Sequence, residues 1–194
     1  MRHIHNYKKF FEDIAVNLTD SPAIKVAKQG YNTTQTNLTE YKAKKDQLTK
    51  IYTSTNPKDG GLLYDDKMVK TEVDKILGKT DINSGKDRNP FLSELVVLLD
   101  LQRRIEKMSK SNADDKLTLD DLKQSMNGET NEKTKDDLST RVSDIDNRIS
   151  LNNSDISKLN SDYTTSKKAF DDKILKLVKN LQTSIKKIIN QPKK

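Results

Sequence analysis

Apolar residues recur in steps of three and four along two long stretches of the chain, and in neither do they widen beyond a narrow stripe. In "RVSDIDNRISLNNSDISKLNSDY" the stripe is Val142, Ile145, Ile149, Ile156, Leu159 and Tyr163, with Asn152 where one more apolar residue should fall. It continues through Phe170, Ile174, Leu177, Leu181, Ile185 and Ile188. Ser166 is a polar gap in it, and the run Phe170, Ile174, Leu177 shifts the frame by about a residue, a stutter that locally unwinds a supercoil. Near the other end, Ile24, Ala27, Tyr31, Thr34, Leu38, Tyr41, Lys45, Leu48 and Tyr52 keep the same steps. Stripes this narrow are coiled-coil seams, so each helix needs a partner helix to cover it.

The segments between carry start and stop signals. Ser21-Pro22 reads as a helix start, serine as N-cap and proline at the first helical position. "STNPKDGG", Ser54 to Gly61, ends that helix. "DDKMVKTEVDKILGK" predicts a short amphipathic helix closing at Gly78, followed by a turn-rich loop, "TDINSGKDRNP". In "PFLSELVVLLDLQRRIEKM" the residues Phe91, Leu92, Leu95, Val96, Leu98, Leu99, Leu101 and Ile105 cover most of a helix surface, which predicts the buried centre of the fold. "KLTLDDLKQSM" predicts one more short helix, Thr118 and Asp121 standing in capping-box spacing. "NGETNEKT" separates it from a last helix over Glu132 to Ile189, about 85 Å long if unbroken.

The two seams match in length. The expected fold is therefore all-α, an elongated intramolecular two-helix coiled coil with a small helical insertion between its arms. Residues 1–21 are an N-terminal arm carrying Phe10, Phe11, Ile14 and Leu18, 22–55 the first coiled-coil arm, 56–131 the helical insert, 132–190 the second arm with the C-terminal helix, and 191–194 a basic tail. Asn152 is expected to fix register, because asparagine in a seam pairs well in one alignment only.

Composition agrees with exposed helices: 32% of residues are hydrophobic against 34% charged, too little apolar surface for a deep core. The chain holds no cysteine, which excludes disulfides, a thiolate nucleophile and cysteine-based zinc sites. The start has no apolar run of the length a signal peptide needs, and no stretch approaches a membrane span. The expected location is cytosolic, or outside the cell by a route that reads no cleaved signal. The net charge of +7 comes from 36 basic and 29 acidic residues that interleave along most of the chain, and aromatic residues that stack bases are not interleaved with them. No nucleic-acid partner is expected, and membrane contact only indirectly.

Candidate chemistry is sparse. His3 and His5 form a pair without a third metal ligand, and no nucleophile–base arrangement can be built on two histidines near one terminus. "KSNADDKLTLDD", Lys110 to Asp121, has the cadence of a calcium loop, but begins on lysine and has Asp115 where the turn needs glycine. "DINSGKDRNPFL", from Asp81, has its glycine one place early. The expectation is a protein with no catalytic residues, no cofactor and no metal. The segment from Lys173 to Lys194 is basic and amphipathic. Ile174, Leu177, Leu181, Ile185 and Ile188 outrun the apolar residues of the first arm and are the candidate partner-binding stripe.

The order of "LTEYKAKKDQLTKIY", then "DDKMVKTEVDKILGK", then "LSTRVSDIDNRISLNNSDISKLNSDYTTSKKAFDDKILKLVKNL" resembles the hydrophilic translocators that cap type III secretion needles, the V-antigen and its relatives. The resemblance covers roughly residues 25 to 190 and is one of architecture. It implies secretion through that system, with the protein cytoplasmic before export and at the needle tip afterwards. It also implies self-assembly into a cap, contact with the needle subunit through the C-terminal part of the last helix, and hydrophobic translocators as further partners. Members carry a sizeable domain before the first arm, and this chain has only about 20 residues there.

Overall fold

The computed structural model describes residues 20–55, 62, 65–78 and 89–189. Four helices run through them: α1 (Pro22–Thr53), α2 (Asp66–Leu77), α3 (Pro90–Gly128) and α4 (Glu132–Ile189). The protein is all-α. The N-terminal arm, His3 and His5, the Pro57–Gly61 breaker, the glycine of the Asp81 segment and the basic tail lie outside the described residues.

Helix ends follow local chemistry. α1 starts at Pro22 behind Ser21, whose backbone carbonyl accepts from Lys25 N. Asp65 caps α2 by accepting from Met68 N at 2.7 Å, and Gly78, at φ 76°, closes it in a conformation that glycine adopts without strain. α3 begins at Pro90 with Asn89 as its cap, Oδ1 accepting from Phe91 N. Between α3 and α4 only Glu129, Thr130 and Asn131 remain. Glu129 Oε1 accepts from Thr130 N and Asn131 N, and Asn131 Oδ1 accepts from Lys133 N and Thr134 N. A turn this short folds the two helices back on each other.

That hairpin is the main packing event. Asn112 pairs with Asn153, Asp115 with Arg148, Lys123 with Asp146 and Glu94 with Lys173, so residue numbers fall on α4 as they rise on α3 and the helices are antiparallel. Burial on α4 keeps the expected seam. Ile149, Leu159 and Phe170 are buried, and Val142, Ile145, Asn152, Ile156, Tyr163, Ser166, Ile174 and Leu177 half-buried on the same line, stutter included.

The partner differs from the expected one. α4 packs chiefly on α3, and α1 packs chiefly on α3 with α2 against it, while α1 meets α4 over a smaller area. The reason lies in α3. It is a single helix of 39 residues, where a helix, a loop and a short helix were expected. Leu98, Leu101, Ile105, Met108, Asn112, Asp115, Leu119, Leu122 and Met126 form an unbroken seam of threes and fours, as long as the facing part of α4. The calcium-like cadence from Lys110 to Asp121 is thus helix interior, and Thr118, expected near a helix start, donates its hydroxyl to Asp114 O within the helix.

The core sits where all four helices meet. Leu38, Leu48 and Tyr52 of α1, Val69 and Val73 of α2, Phe91, Leu92, Leu95, Leu98 and Leu99 of α3, and Phe170 of α4 form one cluster. Tyr41 stands edge-on to Phe91 and Phe170 at 6.3 and 5.9 Å between ring centroids, tying α1 to the hairpin. The Phe91-to-Leu99 stretch is the buried centre the sequence predicts.

Candidate interaction surface at the end of the long helix

The candidate stripe is positioned by how far each helix reaches. Asn89, immediately before α3, donates its Nδ2 to Asn37 O at 2.7 Å and to Glu40 Oε2 at 3.0 Å, which sets the middle of α1 level with the start of α3. On the other side Lys173 pairs with Glu94. In an antiparallel hairpin the residues of α4 some four or more beyond Lys173 therefore run past the first turn of α3. The N-terminal half of α1 runs past it at the same end of the molecule.

The five candidate residues divide at that point. Ile174, Leu177 and Leu181 are half-buried and pack against the core cluster. Ile185 and Ile188 are also half-buried but lie outside that cluster. The opposite face carries Lys176, Lys179, Lys186 and Lys187, all exposed, together with Leu175, which is 53% exposed. From Lys167 to Ile188 the helix has seven lysines against two aspartates, whereas from Glu132 to Ser166 it has five basic residues against seven acidic ones. The positive surplus of α4 thus sits at the end where its apolar stripe leaves α3.

Asn152, the expected register residue, is half-buried in the seam. The asparagine that makes the cross-helix bond is its neighbour: Asn153 Oδ1 accepts from Asn112 Nδ2 at 2.8 Å. One turn along, Arg148 grips Asp115 with Nε at 2.8 Å and Nη2 at 2.5 Å, the two-pronged geometry a planar guanidinium offers a carboxylate. Pattern reading missed Asn112, Asp115, Arg148 and Asn153 together, because it did not carry the seam of α3 through two polar residues. Continuing the count of threes and fours from Leu98 would have exposed Asn112 and Asp115, whereas Arg148 and Asn153 flank the α4 seam and carry no such signal.

Acidic groups near the body are held by cations. Lys44, then Asn89, bonds Glu40 and keeps its carboxyl below the ordinary value. Asp66, at the start of α2, is lowered chiefly by its bond to Lys107, with Arg103 beside it at 3.6 Å. The Asp66 pairs join α2 to α3, while Glu40–Lys44 lies within α1 and Glu40 reaches the start of α3 through Asn89. A groove of about 380 Å³ opens between α3 and α4 at Val97, Leu98, Ala169 and Phe170, beside the Glu94–Lys173 pair. Among the described residues no three histidine, cysteine, aspartate or glutamate side chains gather as metal ligands, and no helix is long and apolar enough to cross a membrane. Comparison with protein families, with curated protein sequences and with solved structures finds no match to this chain.

Proposed function

We propose that this chain is a non-catalytic helical interaction protein, and specifically a hydrophilic translocator that caps a type III secretion needle and supports translocon assembly. The observation that carries the reading is the far end of α4. Its apolar stripe continues through Ile185 and Ile188 beyond the core, with lysines on the other face. A half-covered apolar stripe at the end of a long helix is a surface suited to another helix. The specific assignment rests on the layout of long helices described above, and the same segment is where that resemblance puts needle contact. The partners are then the needle subunit, the hydrophobic translocators and further copies of the chain in a cap.

A second reading, a coiled-coil adaptor or surface interaction protein with no role in secretion, is favoured by one observation. α4 pairs chiefly with α3 and not with α1, which departs from the two-arm plan the resemblance implies. Export separates the two. The tip reading expects the protein in culture supernatant under secretion-inducing conditions and its loss there when the secretion ATPase is deleted; retention in the cell under both conditions leaves the adaptor. Needle binding is tested at Ile185 and Ile188, because Leu181 packs on the core and its replacement would unsettle the fold. Ile185→Asp with Ile188→Asp should abolish association with the needle subunit at unchanged helicity. Association that survives the pair moves the contact elsewhere.

A further inference from the structure

Full burial of apolar side chains is interrupted along α3. On α3 every buried position from Phe91 to Leu99 is apolar, and Leu119 and Leu122 are buried again further on. Between Leu99 and Leu119 the buried residues are Arg103, Asn112 and Asp115, and the apolar seam residues Leu101, Ile105 and Met108 are only half-buried. Leu119, Leu122, Ile149 and Leu159 are buried, yet none belongs to the cluster formed by α1, α2, the first part of α3 and Phe170 of α4. Along the hairpin the Asn112–Asn153 and Asp115–Arg148 pairs thus flank Ile149 as a polar layer, with Leu159 on the body side of it and Leu119, Leu122 and the half-buried Val142 and Ile145 beyond it.

That layer holds the helices in one alignment while contributing little cohesion. Asn112 spends its amide on Asn153, but its Oδ1 is buried with no hydrogen-bond partner among the described residues. A half-satisfied polar group in a seam weakens it there more than an apolar residue would. Asp115 is buried, with its carboxylate held by an arginine whose side chain is 57% exposed, so one tether to the surface balances the buried charge. Intrinsic helicity does not compensate: "SLNNSDISKLNSD", from Ser150, is rich in serine, asparagine and aspartate, which favour turns over helix interiors.

We propose that the polar layer is a breakpoint, and that the hairpin from Asn112 through the turn to Asn153 opens as one unit while the body, made of α1, α2 and the near ends of α3 and α4, stays folded. The device is conformational. The Asn112–Asn153 and Asp115–Arg148 pairs allow one closed alignment, and their weakness lets the arm leave it and return. Opening exposes Leu119, Leu122 and Ile149 without disturbing the core around Phe91 and Phe170.

Native-state hydrogen exchange on the full chain, read by mass spectrometry, tests this. Amides from 112 to 153 should exchange together, at least about tenfold faster than those from 91 to 99 and from 163 to 170. Equal protection in the two regions overturns the proposal. Asn112→Leu with Asp115→Leu should slow exchange in the arm to near the body's rate and leave the body unchanged; an arm no slower than the wild type's sinks the layer as its cause. Should the leucine pair alter the fold, Arg148→Ala decides alone. It strands the Asp115 carboxylate and should speed exchange only between 112 and 153, so an acceleration shared with the body, or none at all, rejects the breakpoint.

Discussion

Asn89 joins two helices with one side chain: its oxygen caps α3 at Phe91 N, and its amide nitrogen bonds Asn37 O and Glu40 across to α1. Removing it leaves an uncapped helix end and a buried polar contact undone, so Asn89→Ala should cost about 1–3 kcal/mol of stability, measured by urea denaturation. Asn89→Asp keeps the cap but loses the donor toward Glu40 and sets two carboxylates together, and should recover less than half of that loss. Tyr52 acts at the other side of the core. Burial, and then Asp100 nearby, pushes its phenol up to about 12, while Arg103 pulls the other way. Between pH 10 and 12 the unfolded chain has released this proton and the folded chain still holds it. The unfolded state then binds fewer protons, and stability falls as pH rises through that window. The difference amounts to on the order of 2 kcal/mol by pH 12. Wild type should lose that much more than Tyr52→Phe between pH 9 and 12, in paired denaturation curves; equal losses would show that the phenol stays accessible.

At the scale of a helix, α1 carries a removable weakness. Gly30 lies in its interior, and a methyl group added there meets nothing within 4 Å. Gly30→Ala should raise stability by about 0.5–1 kcal/mol through backbone entropy alone, visible as a higher urea midpoint at unchanged slope. Such local effects are what a sequence displays openly, and so the seam of α4 was legible over its length, with Ser166 and the stutter after Phe170 in place. α3 was not, because Asn112 and Asp115 occupy seam positions and the run from Ser109 to Asp115 has the composition of a loop. Helix propensity separates such residues from helix formers by under about 1 kcal/mol each, and packing against α4 outweighs it. The period also says that a helix needs a partner without saying which. Three helices offered seams, and the three-residue turn at Glu129–Asn131 sets α3 and α4 side by side as antiparallel neighbours.

At the scale of the whole molecule, α4 is the longest element among the described residues. Its 58 residues span about 87 Å. An elongated envelope alone does not tell which helix lies beside it, since either pairing makes a rod. The chain holds no cysteine, so labels can be placed at will without a background. Leu117 on α3 and Leu151 on α4 are 68% and 69% exposed, and the antiparallel alignment puts them at the same level of the hairpin, near Asp115 and Arg148. Spin labels at cysteines replacing these two leucines should lie roughly 10–25 Å apart, helices in contact being about 8–10 Å between axes with the label arms added. A label at Ser54, at the end of α1, paired with one at Leu151 provides the contrast. Had α1 been the partner of α4 along its length, Ser54 would stand level with the stretch of α4 about a dozen residues before Phe170, close to Leu151. With Tyr52 set beside Asp100 and Arg103 and the arm continuing past them, the Ser54 label should be the farther of the two. A Ser54 distance shorter than the Leu117 distance would reverse the pairing and restore the two-arm plan, and with it the strongest structural reason for reading the protein as a needle tip.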